Sequence, residues 1–306
     1  MTTDRRIFLK NSAMASSAAL FPKSVFASKT ASGGSGFTLW QLPFIETNHG
    51  NSYVFRTQHG KVVVVDGGLP REAGYLRGFL GALGNEVEAW FLSHPHNDHV
   101  GALNEILKKP EGIVIKTIYY SRFSPSYVNN NPVVVELYKN LETYRSPSPA
   151  KPRRDPMPED MDSNSNSLPL KVVDVQLGST GEIDGLDFKI LEVKNEEITP
   201  VDFNNSCMIF KVWDKSRSVV FLGDAGEQEG EKVLNGPFRR DLDCDFLQMA
   251  HHGELGVSKK FYQSIKFEAC LWPAPNWNDL KETREWIKDK GIQKHFLAGD
   301  GLQIIQ

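Results

Sequence analysis

The 306-residue chain carries 35 Lys and Arg against 38 Asp and Glu, and 40% of its residues are hydrophobic. This is a globular composition with enough apolar material for a real core, in one large or two small domains. A near-neutral, slightly negative balance argues against a protein that grips long nucleic acid by its phosphates, although it leaves room for a local basic patch.

The N-terminus reads Asp4-Arg5-Arg6-Ile7-Phe8-Leu9-Lys10, then a mildly apolar stretch at 13–21 and a small-residue site at Val25-Phe26-Ala27. This resembles a twin-arginine export signal, with Asp4 where Ser or Thr is usual; the plain alternative is a basic tail. The resemblance implies a signal peptide at 1–27, the twin-arginine machinery as a partner, export of the chain already folded, and a periplasmic or extracellular location. Cleavage after Ala27 removes Arg5, Arg6, Lys10, Lys23 and Asp4, leaving 31 basic and 37 acidic residues and a net charge of −6. No other run approaches the roughly 18 apolar residues of a membrane span, so no span is expected in the mature chain.

Residues 28–36 read as a linker, with a Ser/Gly spacer at 32–36, and 37–306 as one domain. Strands are expected at 37–42, 52–56 and 61–65. The run at 62–65 is continuously apolar, as in a strand covered on both faces, and ends in Asp66-Gly67-Gly68, where glycine permits a sharp turn. An amphipathic helix follows at 70–83, with Pro70 acceptable at its start, then a strand at 87–92 and a helix at 100–107.

Between that strand and that helix stands Ser93-His94-Pro95-His96-Asn97-Asp98-His99, which holds three of the eight histidines. His94 and His96 are two apart in extended chain, so both rings project to one side. Asp98 and His99 fall at the helix start, where unpaired N–H groups favour an ionised carboxylate. Imidazole and carboxylate together suit zinc, iron or manganese; a solvated polar turn is the bland alternative. His94-x-His96-x-Asp98-His99 resembles the signature of the metallo-β-lactamase superfamily. The resemblance implies an α/β (α+β) chain folded as a four-layer αββα sandwich, a binuclear metal centre and hydrolase activity. It also implies that Asp66 supports the histidine loop from behind, with a plain turn-forming aspartate as the alternative.

Further on, a strand is expected at 113–120 and a helix at 133–144. Residues 146–167, dense in Pro, Ser, Asp and Asn, read as a surface loop or disordered insertion, with a flap over the site as a further option. Strands follow at 171–177, 186–193, 206–213 and 218–222. The last ends in Gly223-Asp224-Ala225; Asp224 reads either as the N-cap of a helix at 226–234 or, by the family resemblance, as the aspartate bridging two metals. Another strand ends in His251-His252-Gly253, and the resemblance favours His252 over His251 as the last ligand. Helices at 259–265 and 279–290 and strands at 268–272 and 295–298 complete the chain. Trp272 and Trp277 are expected to pack in the core, a wall of the substrate pocket being the alternative. Cys207, Cys244 and Cys270, odd in number and without a CxxC, read as buried small apolar residues, a structural pair being the alternative.

One departure from the family stands out. No histidine lies between Lys108 and Ala250, where many binuclear members have a further ligand. Asn204-Asn205-Ser206 lies near its place and, with His252-Gly253, resembles the branch containing the C-terminal domain of competence-type DNA-uptake proteins, which look like phosphodiester-cleaving enzymes. The first metal would then be held by His94 and His96, with solvent or Asn205. The second would be held by Asp98, His99 and His252 (or His251), with Asp224 bridging.

One or two divalent ions are therefore expected, zinc first, with manganese or iron as alternatives. Two cations about 3.5–4 Å apart hold a hydroxide and lower its pKa towards roughly 7. Asp98 would orient it or accept its proton, and whichever of His251 and His252 is not a ligand would protonate the leaving oxygen. The expected function is exported hydrolysis of a small phosphodiester. The alternatives are an ester, lactone or β-lactam hydrolase, or a non-catalytic metal-binding module of the same fold.

Overall fold

The computed structural model describes residues 36–45, 48–144, 169–198, 202–254 and 256–305. The export signal, most of the linker and the 146–167 loop lie outside the described residues.

Among the described residues, fourteen strands form two seven-stranded sheets. The first, in spatial order, consists of β14 (Gln303–Ile305), β1 (Thr38–Gln41), β2 (Ser52–Arg56), β3 (Val62–Asp66), β4 (Glu86–Phe91), β5 (Val114–Tyr120) and β6 (Lys171–Asp174). The second runs β13 (Lys294–Leu297), β12 (Ala269–Trp272), β11 (Phe246–Gln248), β10 (Ser218–Phe221), β9 (Ile209–Trp213), β8 (Leu186–Glu192) and β7 (Thr180–Ile183). The inner faces meet in one apolar layer that includes Phe55, Phe91, Phe210 and Phe221. Helices α1 (Ala73–Ala82), α2 (Asn97–Lys108), α3 (Pro125–Val128) and α4 (Pro132–Thr143) follow strands of the first sheet, and α5 (Glu227–Asn235), α6 (Lys259–Ser264) and α7 (Lys281–Ile287) follow strands of the second. The longer helices cover the outer faces, giving the expected four-layer αββα order.

The continuous apolar run of β3 is explained by those layers. Val62 and Val64 face the helices, whereas Val63 and Val65 face the other sheet, and all four are buried. Each such valine contributes about 1.5 kcal/mol or more by leaving water. Strands β3 to β6 are mutually parallel, as are β10 to β13. Parallel neighbours require crossover connections, so the segments leaving β3, β4, β10, β11 and β12 all emerge along one rim. A crevice outside the carboxyl ends of parallel strands is where α/β sheets hold ligands.

Helix α2 begins at Asn97, three residues before its apolar periodicity, because Asn97, Asp98 and His99 form its first turn while His96 remains extended. Its seat is tight. A Cβ added at Gly101 would stand 2.7 Å from the backbone nitrogen of Pro70. Gly101→Ala is expected to cost about 1–3 kcal/mol by overpacking, read as a lower urea midpoint with unchanged slope.

Two strands escaped the sequence reading, β7 and β14. The strand expected at 206–213 begins later, because Asp202–Ser206 forms a 3-10 turn. All three cysteines are buried and unpaired. Among the described residues, no helix is long and apolar enough to cross a membrane.

Candidate metal centre

The rim brings together side chains from three loops, those after β4, β10 and β11. Asp98, His99, Asp224 and His252 form one group with donor atoms within 4.8 Å of one another; His94, His96 and Asp224 form a second. Asp224 belongs to both. Its Oδ1 lies 3.1 Å from His99 Nε2, and its Oδ2 lies 3.4 Å from His252 Nε2 and 3.7 Å from His94 Nε2. Asp98 Oδ2 lies 3.0 Å from His252 Nε2 and 3.7 Å from His99 Nε2. His94 Nε2 and His96 Nδ1 are 3.0 Å apart.

The rings are aimed from behind. His252 Nδ1 donates to the carbonyl of Pro273 at 2.8 Å, which leaves Nε2 facing the carboxylates. His99 Nδ1 pairs with Asp66 Oδ2 at 2.8 Å. Asp66 itself, fully buried at the end of β3, accepts from Ser93 N and Ser93 Oγ at 2.7 Å and from Asn51 Nδ2 at 2.6 Å. It also adopts a left-handed φ of 55°. Turn residue and support are one and the same here.

Asp224 does not cap the helix that follows it: the N-cap of α5 is Gly226, without a side-chain cap. Its backbone N–H is instead satisfied by Cys207 Sγ at 3.3 Å, leaving the carboxylate for the rim.

Asn205, the alternative to solvent beside His94 and His96, has its amide engaged elsewhere. Its Oδ1 accepts from Glu229 N at 3.2 Å and its Nδ2 donates to Gln228 Oε1 at 3.0 Å, so its amide satisfies the first turn of α5. Neighbouring Asn204 is the one that meets a site histidine, its Nδ2 3.3 Å from His251 Nε2. Ser206 Oγ accepts from Asn195 N at 3.0 Å. The Asn-Asn-Ser motif therefore braces the turn beside Asp224, with both amide atoms of Asn205 engaged by α5.

His251 and His252 both have left-handed φ, 48° and 58°, a conformation that non-glycine residues adopt only where surrounding contacts impose it. This double twist sends the two rings different ways. His252 is buried among the carboxylates, while the His251 side chain keeps about a third of its surface and lies 3.9 Å from Asp224 Oδ2.

The donor set fits divalent cations. His99 Nε2 and Asp224 Oδ1 are buried and face each other at 3.1 Å with no other hydrogen-bond partner, a pairing of nitrogen and carboxylate that a cation can replace. Burial penalises the charged imidazole of His252, yet Asp224 and Asp98 outweigh it and push its pKa up to about 10. His99 is likewise driven up against burial by Asp224, Asp98 and Asp66. Asp98 and Asp224 are held below the usual carboxylate range, although burial opposes this, chiefly by His99. The carboxylates draw positive charge into a dry site. His94 and His96 are pushed down, mainly by burial, which favours the neutral imidazole a metal ligand requires.

Two residues beside the centre carried no periodic or spacing signal in the sequence. Asn51 contacts Asp66 as described, and the ring of His49 lies 4.8 Å from that of His252. Trp272 is buried as expected, but Trp277 is 57% exposed and does not pack in the core.

Two sheets sandwiched by helices, with six His and Asp side chains gathered at one rim, are the arrangement of the metallo-β-lactamase fold. The family model of the metallo-beta-lactamase superfamily matches residues 45–266, and the chain belongs to that superfamily. A UPF0173 metal-dependent hydrolase of Bacillus cytotoxicus is 39% identical over 75 residues, which is 24% of this chain and 32% of that protein. The match thus spans about a third of the relative's length. Among solved structures, the metallo-beta-lactamase fold protein YhfI of Bacillus subtilis is similar with a TM-score of 0.55 and 15% identity, covering 88% of this chain and all of that one. CmlA, a diiron β-hydroxylase of Streptomyces venezuelae, is similar with a TM-score of 0.52 and 12% identity over 89% of this chain and 54% of its own. At such identities these likenesses speak for the fold alone.

Proposed function

We propose that this chain is an exported hydrolase that cleaves a small phosphodiester at a binuclear metal centre. The observation carrying the reading is Asp224, shared by the two ligand groups, since paired cations suit in-line displacement at phosphorus. When bound, the cations supply Lewis acidity and a water whose pKa falls towards about 7. Zinc is the first candidate, with manganese or iron as alternatives. A first position without its extra histidine favours partial loading or manganese; two tightly held zinc ions after purification without added metal would count against this.

The chain's own residues do the rest. Asp98, whose side chain is 24% exposed against 3% for Asp224, faces the open side of the site. There it orients the attacking water and accepts its proton. His252 is committed to the carboxylates, which leaves His251 as the hydrogen-bond donor to the leaving oxygen, steadied by Asn204. The phosphodiester preference draws on the likeness of Asn204-Asn205-Ser206 and His252-Gly253 to the competence-type branch. Export, and with it a periplasmic or extracellular location, draws on Arg5-Arg6 and the small residues before Ser28. The negative mature chain favours a nucleotide or lipid headgroup over long nucleic acid.

The test is turnover of bis(p-nitrophenyl) phosphate, p-nitrophenyl acetate and a chromogenic β-lactam by residues 28–306 loaded with zinc or manganese. Diester turnover is expected to dominate. Hydrolysis of the ester or lactam alone replaces the phosphodiester reading, and inactivity on all three favours a metal-binding module. Asp98→Asn is expected to lower kcat about 10²–10⁴-fold with the far-ultraviolet dichroism unchanged; full activity would remove Asp98 from the mechanism.

A further inference from the structure

The His252 end of the centre continues into an aromatic surface that hydrolysis at the metals does not itself require. His49, in the connection between β1 and β2, sets its ring 4.8 Å from that of His252 at an angle of 44°. Trp277, in the loop between β12 and α7, meets His49 edge to face at 5.1 Å. Three rings thus run without a break from a metal-binding side chain to solvent. Asn278 Oδ1, 3.2 Å from His49 Nε2, and Glu254 Oε2, 4.0 Å from it, border the run with polar groups.

An isolated surface indole calls for no explanation, but this one is not isolated. Trp272, five residues earlier, is fully buried, so exposure is not a property of the segment. Support for His49 needs only the edge of a smaller ring, whereas Trp277 leaves 57% of its surface in water. Aromatic side chains beside a few polar groups are how pockets take planar ligands, and an open indole is a sequence-tolerant stacking surface for bases.

Resting on the phosphodiester reading, we propose that Trp277, backed by His49, is a platform on which the substrate stacks a planar aromatic ring. The natural diester then carries a nucleobase or another aromatic group on the side of the scissile bond that faces His252. Trp277 acts in specificity and takes no part in the bond-breaking step.

The experiment is calorimetric titration of the metal-loaded chain with methyl phosphate, phenyl phosphate and thymidine 5′-monophosphate, which share the phosphate anchor and differ in the ring. The ring-bearing esters are expected to bind on the order of tenfold more tightly than methyl phosphate. Trp277→Ala is expected to erase that ratio, and Trp277→Phe to retain most of it. A further preference for thymidine over phenyl identifies a nucleobase, and equal affinity identifies aromatic groups in general. Equal binding of all three by the native protein, failure of all three to bind, or a ring advantage that survives Trp277→Ala overturns the platform. Because the readout is binding, it is independent of turnover: an inactive protein that still shows the Trp277-dependent ratio keeps the platform and loses only the hydrolytic reading.

Discussion

Replacing Asp224 by alanine is expected to strip metal from both positions at once. Among the described residues, no other belongs to both candidate ligand groups. Its carboxylate is 3% exposed and reaches His94, His99 and His252 within 3.1–3.7 Å. It is also set rigidly. Gly223 turns the chain with a φ of 58°, His251 N donates to the carbonyl of Gly223, and Gln248 Oε1 accepts from Leu222 N and Gly223 N. Cations that contribute several kcal/mol to the transition state correspond to at least about 10³ in rate. Asp224→Ala should therefore lose nearly all bound metal by elemental analysis and about 10³-fold or more in kcat/KM. Since Asp224 caps no helix, the far-ultraviolet dichroism should be unchanged. Full metal content in the variant would show that the two groups do not share this ligand.

Much of this centre was visible in the sequence because its chemistry is local. His94, His96, Asp98 and His99 sit on one strand-to-helix junction, where spacing alone determines which side chains can meet. Asp224 and His252 were reached by resemblance, and their meeting is tertiary: β10 and β11 pair in parallel and deliver both residues to one rim. The turn around Asn205 was harder to read, because an amide within a 3-10 turn can point to a helix start or to a cation with the same residue type. A Cβ placed on Gly226 would meet the side-chain amide of Asn205, which shows why the helix wins: the glycine makes room for that amide on the first turn of α5. The hairpin of β7 and β8 was legible and missed. Asp184-Gly185, both with left-handed φ, is the sequence signal of a two-residue turn between strands. Strand β14 was not legible, since three residues become a strand only by pairing with β1. His49 belongs with it, because nothing in its neighbourhood in sequence foretells His252 or Trp277.

Asp66 carries the other large effect, and two substitutions separate its two duties. As a turn residue it needs a left-handed φ of 55°, which asparagine tolerates and alanine does not. As a buried acceptor it satisfies Ser93 N, Ser93 Oγ, Asn51 Nδ2 and His99 Nδ1, which alanine cannot do at all and asparagine does in part. Asp66→Ala is therefore expected to cost about 3–5 kcal/mol in the metal-free protein, as for other broken buried charge networks, measured by urea unfolding. Asp66→Asn should fold with a much smaller loss, yet leave His99 without its carboxylate partner. Removal of such partners weakens metal affinity by about 10–100-fold, so its binding curve should shift by that factor at the position held by Asp98, His99 and His252. If Asp66 served the turn alone, Asp66→Asn would bind metal as tightly as the native chain. A weakened curve on a stable fold would instead trace the path from β3, through one buried carboxylate and His99 Nδ1, to the ring nitrogen that faces the cation.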